Sequence, residues 1–284
     1  FNFRTEDGEV DLRVSTLPTV HGEKVVMRLL KKTGVVPTMM ELGLRGRALK
    51  NLEEAILRPH GIILVTGPTG SGKTTTLYSV LSRISSSRLN IVTIEDPVEY
   101  QMPGINQVQI NPMAGLTFAS ALRSFLRQDP NIIMVGEIRD EETAELAIQA
   151  ALTGHLIFST LHTNSASGAL PRLLDMKAEP YLLASTITQI VGQRVARRVC
   201  PQCKKAYKPT AEVIADIKAV LGKLWPYDSD SGETVELYQG AGCNECGNTG
   251  YLGRIGIFEV LPATEKIGRL ILEHAPASEI ENAA

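Results

Sequence analysis

The sequence lacks any long hydrophobic run. No stretch of its 284 residues approaches the ~18 uninterrupted apolar residues that a membrane-spanning helix needs. It also lacks an excess of either charge: 29 Lys and Arg face 31 Asp and Glu, a formal net charge of −2. Strong attraction to nucleic acid or to anionic lipid is therefore not expected. The start, Phe1-Asn2-Phe3-Arg4-Thr5-Glu6-Asp7, has no basic region followed by an apolar one, which excludes a secretory signal there. It has no initiator Met, and an apolar stretch (Ile267 to Leu272) lies close to the end. The expectation is a fragment cut at the N-terminus or at both ends. There is no internal repeat. Cysteine is scarce, four residues in two Cys-x-x-Cys pairs. Without a secretory signal, that spacing favours metal over disulfides. What remains is an ordinary globular composition, 43% apolar and 21% charged, long enough for one large domain or two smaller ones.

Residues 8 to 31 alternate in the manner of strands. Val10, Leu12 and Val14 fall on one face, and a second run covers Lys24 to Leu30, with Pro18 and His21-Gly22 marking the turn between them. A linker is expected from Lys31 to Thr38 and a helix from Arg45 to Leu57, stopped by Pro59. Four β-branched runs follow: Ile62-Ile63-Leu64-Val65, Ile91-Val92-Thr93-Ile94, Ile132-Ile133-Met134-Val135 and Leu156-Ile157-Phe158. Each is apolar on both faces, as in the parallel sheet of an α/β fold covered by helices. Each also ends in polar or glycine-rich residues, and ligands of open α/β sheets sit beyond the carboxyl ends of the strands. One shared site is the expectation. Helices are predicted at Thr74 to Ile84, Thr117 to Leu126 and Glu141 to Thr153, the last capped by Gly154. From Cys200 to Cys246 the composition changes. Both cysteine pairs, a helical stretch (Val213 to Leu221) and a turn-rich loop (Asp228 to Gly232) read as an inserted subdomain.

Gly67-Pro68-Thr69-Gly70-Ser71-Gly72-Lys73-Thr74, followed by Thr75, matches the G-x-x-x-x-G-K-[ST] pattern between a buried strand and a helix. Its glycines let successive N–H groups turn inward on phosphate oxygens, and the helix start adds positive potential. Lys73 suits the β- and γ-phosphates of ATP, and Thr74 a Mg²⁺ ion. Hydrolysis also needs carboxylates. Glu137 ends a hydrophobic strand where such an acid belongs, and Glu95, Asp96 and Glu99 cluster after another. One of these three orients or deprotonates the attacking water, or each is a solvated loop acid. His155 and His162 bracket the fourth strand. Both are candidates for the phosphate or its water network, against an ordinary structural role.

These residues resemble a known family. Gly67 to Thr74 resembles its Walker A loop, Thr93-Ile94-Glu95-Asp96-Pro97-Val98-Glu99-Tyr100 its Asp box, Val135-Gly136-Glu137-Ile138-Arg139-Asp140 its Walker B box, and Gly154 to Asn164 its His box. The family is the type II/type IV secretion ATPase superfamily, in the branch of pilus-extension and type II secretion motors. The resemblance runs from about Asp11 to Pro262. It implies a homo-hexameric ring of RecA-like P-loop motor domains, each preceded by a PAS-like α+β domain. The division expected is 1–31 for the end of the PAS-like domain, 32–44 for a linker and 45–199 for the ATPase core. A zinc-binding insert at 200–254 and the rest of the motor at 255–284 complete it. By the same resemblance Glu99 is the general base, and Glu137 holds Mg²⁺ through water. Arg13 and Arg28 match arginines brought onto the γ-phosphate, and Arg123, Arg127 and Arg139 match basic positions of the motor domain. A cytoplasmic location is implied, peripheral to the inner membrane through a platform protein, with no direct membrane insertion and no nucleic acid. The family's further N-terminal docking domain and the motor tail after residue 284 are expected to lie outside this chain.

Cys200-Pro201-Gln202-Cys203 and Cys243-Asn244-Glu245-Cys246 form two knuckles whose four thiolates suit a tetrahedral, structural Zn²⁺. Free thiols or a redox pair are the alternatives. Extension and secretion motors commonly carry such an element here. The basic stretch Arg194, Arg197, Arg198, Lys204, Lys205 and Lys208 is a solvated face or a docking surface. Two other readings compete with a motor for pilus assembly or type II secretion. A nucleic-acid translocase is disfavoured by the balanced charge, and a non-catalytic scaffold by the joint presence of Lys73, Glu99 and Glu137.

Overall fold

The computed structural model describes residues 2–5, 8–31, 36–222, 225 and 235–284. The expected loop at 228–232 and part of the linker, 32–35, lie outside the described residues. The chain forms two compact units, Phe1–Arg194 with Gly256–Ala284, and Val195–Ile255.

The first unit opens with a three-stranded antiparallel sheet, β1 (Asn2–Thr5), β2 (Gly8–Thr19) and β3 (Gly22–Lys31). Its register sets Arg13 directly opposite Arg28. The larger sheet is built from β4 (Gly61–Thr66), β5 (Ile91–Glu95), β6 (Asn106–Gln109), β7 (Ile132–Val135), β8 (Leu156–Leu161) and β9 (Ile187–Val199). After β10 (Lys204–Tyr207) and β11 (Leu237–Gly240) in the second unit, β12 (Tyr251–Pro262) returns to it. The order is β12-β9-β4-β8-β7-β5-β6, and the pairings from β9 through to β6 are all parallel.

Every residue of β4, β5, β7 and β8 is buried, and because side chains alternate between two covered faces, all but Glu95 at the end of β5 are apolar or small. Ile62, Leu64, Ile94, Ile133 and Ile157 point into one core with the helices Phe118–Phe125 and Glu141–Leu152. Ile63, Val65, Met134 and Phe158 point into the other, shared with the helices Gly46–Ala55 and Lys73–Ile84. Burial of each such side chain contributes about 1.5–3 kcal/mol before chain entropy is set against it. A sheet covered on both faces exposes only its strand ends, and β4, β8, β7 and β5 stand side by side with their carboxyl ends on one edge.

Three strands of this sheet go beyond the four apolar runs. β6 is short and polar, β9 is buried only to Gln193 and exposed or half-buried beyond it, and β12 is largely exposed. The helix expected over Arg45 to Leu57 ends at Ala55, which leaves Leu57 80% exposed rather than on its apolar face. Among the described residues no helix is long and apolar enough to cross a membrane. The second unit holds the antiparallel pair β10–β11, the helix Ala211–Leu221 and the two knuckles.

Candidate nucleotide site and cysteine cluster

β4 ends at Thr66, and the glycine-rich loop runs from there to the helix that begins at Lys73. Gly70 and Gly72 adopt φ of 81° and 87°, the left-handed region that glycine enters without steric penalty. They allow the loop to curl over the start of the helix. Lys73 is nearly buried. Its Nζ donates to the carbonyl oxygens of Gly67 at 2.9 Å and Pro68 at 3.2 Å, and burial lowers its pKa while the charge of Glu137 opposes that shift. Thr74 and Thr75 follow in the first turn, half-buried.

Glu137 lies just past β7, with its side chain 15% exposed. The strand between β7 and the loop strand is β8, and the residue just past its end is His162. That order accounts for the next contact: His162 Nε2 lies 3.5 Å from Glu137 Oε2. Arg139 closes the cluster. It pairs with Glu137, which holds its pKa above the usual guanidinium value, and its Nη2 lies 3.7 Å from Asp96. Lys73, Glu137, Arg139, His162 and Asp96 thus meet at one sheet edge. Arg123 pairs with Glu142 on the surface.

The acids after β5 separate by depth. Glu95 is 2% exposed and accepts hydrogen bonds from Tyr78, from Thr93 Oγ1 at 2.6 Å and from Gln107 Nε2 at 3.2 Å. Burial raises its pKa and these donors pull it back. Glu99 is half-buried, and its backbone N–H donates to the Tyr78 hydroxyl at 3.2 Å. The carboxylate of Glu99 is near enough to act electrostatically on Glu95. Glu95 is therefore an internal strut, leaving Asp96 and Glu99 toward solvent. Tyr78, Gln107 and Gln193 took no part in the sequence motifs. The place of Tyr78 in the same helix, about one and a half turns past Lys73, was the available signal.

His155 is not brought to this edge. It precedes β8 and so stands at the amino ends of the strands, about 20 Å away for a six-residue strand. Its Nδ1 lies 2.8 Å from the carbonyl oxygen of Ala150. With Arg58, Arg83 and Asp129 it lines a cavity of about 850 Å³. That cavity lies at the amino ends of the strands, away from the glycine-rich loop. A role for His155 at the phosphate is corrected by the direction of β8. Arg13 lies in β2, and Arg28, in β3, is exposed.

In the second unit the Sγ atoms of Cys200, Cys203, Cys243 and Cys246 all lie within 4.8 Å of one another. Cys200–Cys243, Cys203–Cys246 and Cys243–Cys246 are 3.8, 3.9 and 3.7 Å apart. Tetrahedral zinc with Zn–S of ~2.3 Å requires S···S of about 3.8 Å, whereas a disulfide brings sulfurs to ~2.05 Å. The cluster matches a tetrathiolate metal site. The backbone N–H groups of Cys243 and Gly250 also donate to Cys246 Sγ, at 3.2 and 3.3 Å, and favour its thiolate.

A glycine-rich phosphate loop after the interior strand β4, with an acid past a strand two places away, defines a P-loop nucleotide-binding protein of RecA-like α/β fold. The particular lineage follows from comparison. The profile of the family "Type II/IV secretion system protein" matches residues 1–284, and the chain belongs to that family. It is 50% identical over 276 residues to the type IV pilus assembly ATPase PilB of Thermus thermophilus, covering 97% of this chain and 30% of that protein. It is 50% identical over 270 residues to the type II secretion system ATPase E of Vibrio cholerae, covering 95% and 51%. The crystal structure of the pilus retraction motor PilT with bound ADP superposes with a TM-score of 0.64 at 29% identity, covering 99% of this chain and 67% of that one. The chain thus spans about half or less of the two curated relatives.

Proposed function

We propose that this chain is the motor portion of a hexameric, Mg²⁺-dependent ATPase that turns ATP hydrolysis into mechanical work for type IV pilus assembly. One observation carries the reading: the Lys73 Nζ lies on the Gly67 and Pro68 carbonyls inside the loop after β4, and Glu137 and His162 pair 3.5 Å apart at the ends of the next two strands, β7 and β8. Lys73 exchanges the carbonyls of Gly67 and Pro68 for phosphate oxygens, and the loop N–H groups from Thr69 to Thr74 hold the rest of the phosphate chain. Thr74 and Glu137 form an oxygen donor set that fits Mg²⁺. When bound, that ion neutralises charge developing on the β- and γ-phosphates. Glu99 takes the proton of the attacking water, and His162 holds Glu137 in place. Arg13 and Arg28, opposite each other on the β2–β3 ladder, bring positive charge to the γ-phosphate of their own or a neighbouring chain. The four cysteines hold a structural zinc, and a membrane platform protein of the machine is the partner. Equal identity to the Vibrio secretion ATPase supports a second reading, a motor for pseudopilus assembly in type II secretion.

Phosphate release by the intact protein tests the enzyme reading. Lys73→Ala is expected to abolish ATP binding. Glu99→Gln is expected to lower kcat by about 10²–10⁴ while nucleotide still binds. Activity unchanged in both variants would refute the assignment. Stimulation by DNA that declines steeply with salt would favour a translocase instead.

A further inference from the structure

Gln193 lies outside every motif above, yet its side chain bonds both the phosphate loop and the helix that follows it. β9 runs parallel to β4 and pairs Gly192 with Thr66, which brings Gln193 level with the first glycine of the loop. Its side chain is 4% exposed. Nε2 donates to the carbonyl oxygen of Ser71 at 2.7 Å, and Oε1 accepts from Thr76 Oγ1 at 2.7 Å. Its backbone carbonyl presses on the loop as well. A Cβ at Gly67 would stand 2.3 Å from that oxygen, and one at Gly72 would stand 3.1 Å from Nε2. One residue therefore touches the start of the loop, its last peptide before Lys73 and the first turn of the helix.

The consequence follows from the planarity of the peptide bond. In a trans peptide the C=O and the N–H point in opposite directions. The peptide joining Ser71 to Gly72 carries the Ser71 carbonyl at one end and the Gly72 N–H at the other. Drawing the carbonyl outward onto Gln193 turns the Gly72 N–H toward the concave side, where phosphate oxygens bind. The Thr76 bond fixes the first helical turn against the same amide, so loop and helix start move as one body. Glutamine suits this task because its amide presents a donor and an acceptor side by side. Leucine presents neither, and glutamate sets an oxygen against the oxygen of Ser71.

We propose that Gln193 is a positioning residue of the nucleotide site, preorganising the phosphate loop before ATP arrives. This rests on the ATPase reading above and adds the residue that sets the loop's affinity. The interaction acts on ground state and transition state alike, so it belongs in KM rather than kcat.

The test uses the intact protein with MgATP and MgADP. Gln193→Leu and Gln193→Glu are expected to weaken binding of both nucleotides at least about tenfold and to raise KM alike, with kcat within about threefold. Thr76→Val, which removes one of the two bonds, is expected to shift affinity the same way by about threefold. If Gln193→Leu does not fold, the other two variants decide. Affinity within twofold of wild type in folded variants, whatever their melting temperature, overturns the proposal. So does a fall in kcat at unchanged KM. If wild type itself binds no ATP, the ATPase reading fails and amide exchange in the unliganded protein decides. Faster exchange confined to 67–76 in Gln193→Glu supports the anchor, and unchanged exchange there refutes it.

Discussion

Glu95 shows how one buried side chain sets the depth of its neighbours. Its carboxylate collects the Tyr78 and Thr93 hydroxyls and the Gln107 amide, and Tyr78 in turn accepts the Glu99 N–H. Glu99 is thereby tied to the helix that carries Lys73. Burial holds the Glu95 pKa above its ordinary value, so the folded state keeps that proton to higher pH than the unfolded chain. The associated stability is present below the unfolded pKa of ~4.3 and is lost as pH rises through the folded value. Glu95→Gln removes the titration. The stability of wild type relative to this variant is predicted to fall as pH rises above the ordinary carboxylate pKa, and a difference that stays flat in denaturant titrations would refute it. Glu95→Ala leaves two buried hydroxyls short of a partner, at about 1–3 kcal/mol each. The sequence displayed Glu95, Asp96 and Glu99 as an undivided acidic cluster. Which of them is internal depends on Tyr78, contributed from another element, and no spacing within the cluster reports that.

Among the elements, the helix Glu141–Leu152 separates structural from chemical roles inside one motif. Asp140 ends the box that contains Glu137, but its Oδ1 accepts the N–H of Thr143 at 2.8 Å and caps the helix. Asp140→Ala is predicted to cost about 1 kcal/mol of stability, and Asp140→Ser to recover most of it. Nucleotide affinity should stay within twofold in both, and a tenfold loss would give Asp140 a role in binding. The four central strands were legible because burial on both faces demands an unbroken β-branched run, which few other contexts require. β9 and β12 were not. Each is apolar for only part of its length, and the alternation in Ile187 to Val199 changes where Gln193 gives way to exposed arginines. His155 was misjudged for a related reason. A histidine before a strand and one after it look equivalent in sequence, yet they stand at opposite edges of a parallel sheet, and only the direction of the chain tells them apart.

At the scale of the whole molecule, two units answer to different sources of stability. Phe1–Arg194 with Gly256–Ala284 has the two apolar cores. Among the described residues Val195–Ile255 has little core: no residue of the helix Ala211–Leu221 is buried, and the buried apolar residues there are Cys200 and Cys246. Such a unit cannot offset its chain entropy by burial alone. Metal binding to four preassembled thiolates can, since apparent values in small zinc peptides reach ~10–16 kcal/mol. Chelation, or a Cys200→Ser, Cys243→Ser double substitution, is predicted to release about one zinc per chain. Hydrogen exchange should then rise throughout 195–255 while β4, β5, β7 and β8 stay protected. Fluorescence or calorimetric melting should show the larger unit unfolding within a few degrees of the untreated protein. If chelation leaves exchange in 195–255 unchanged, the cysteines are not its staple. If it unfolds both units together, the larger unit's stability also depends on the metal, because β9 and β12 supply that sheet and carry the chain to the knuckles.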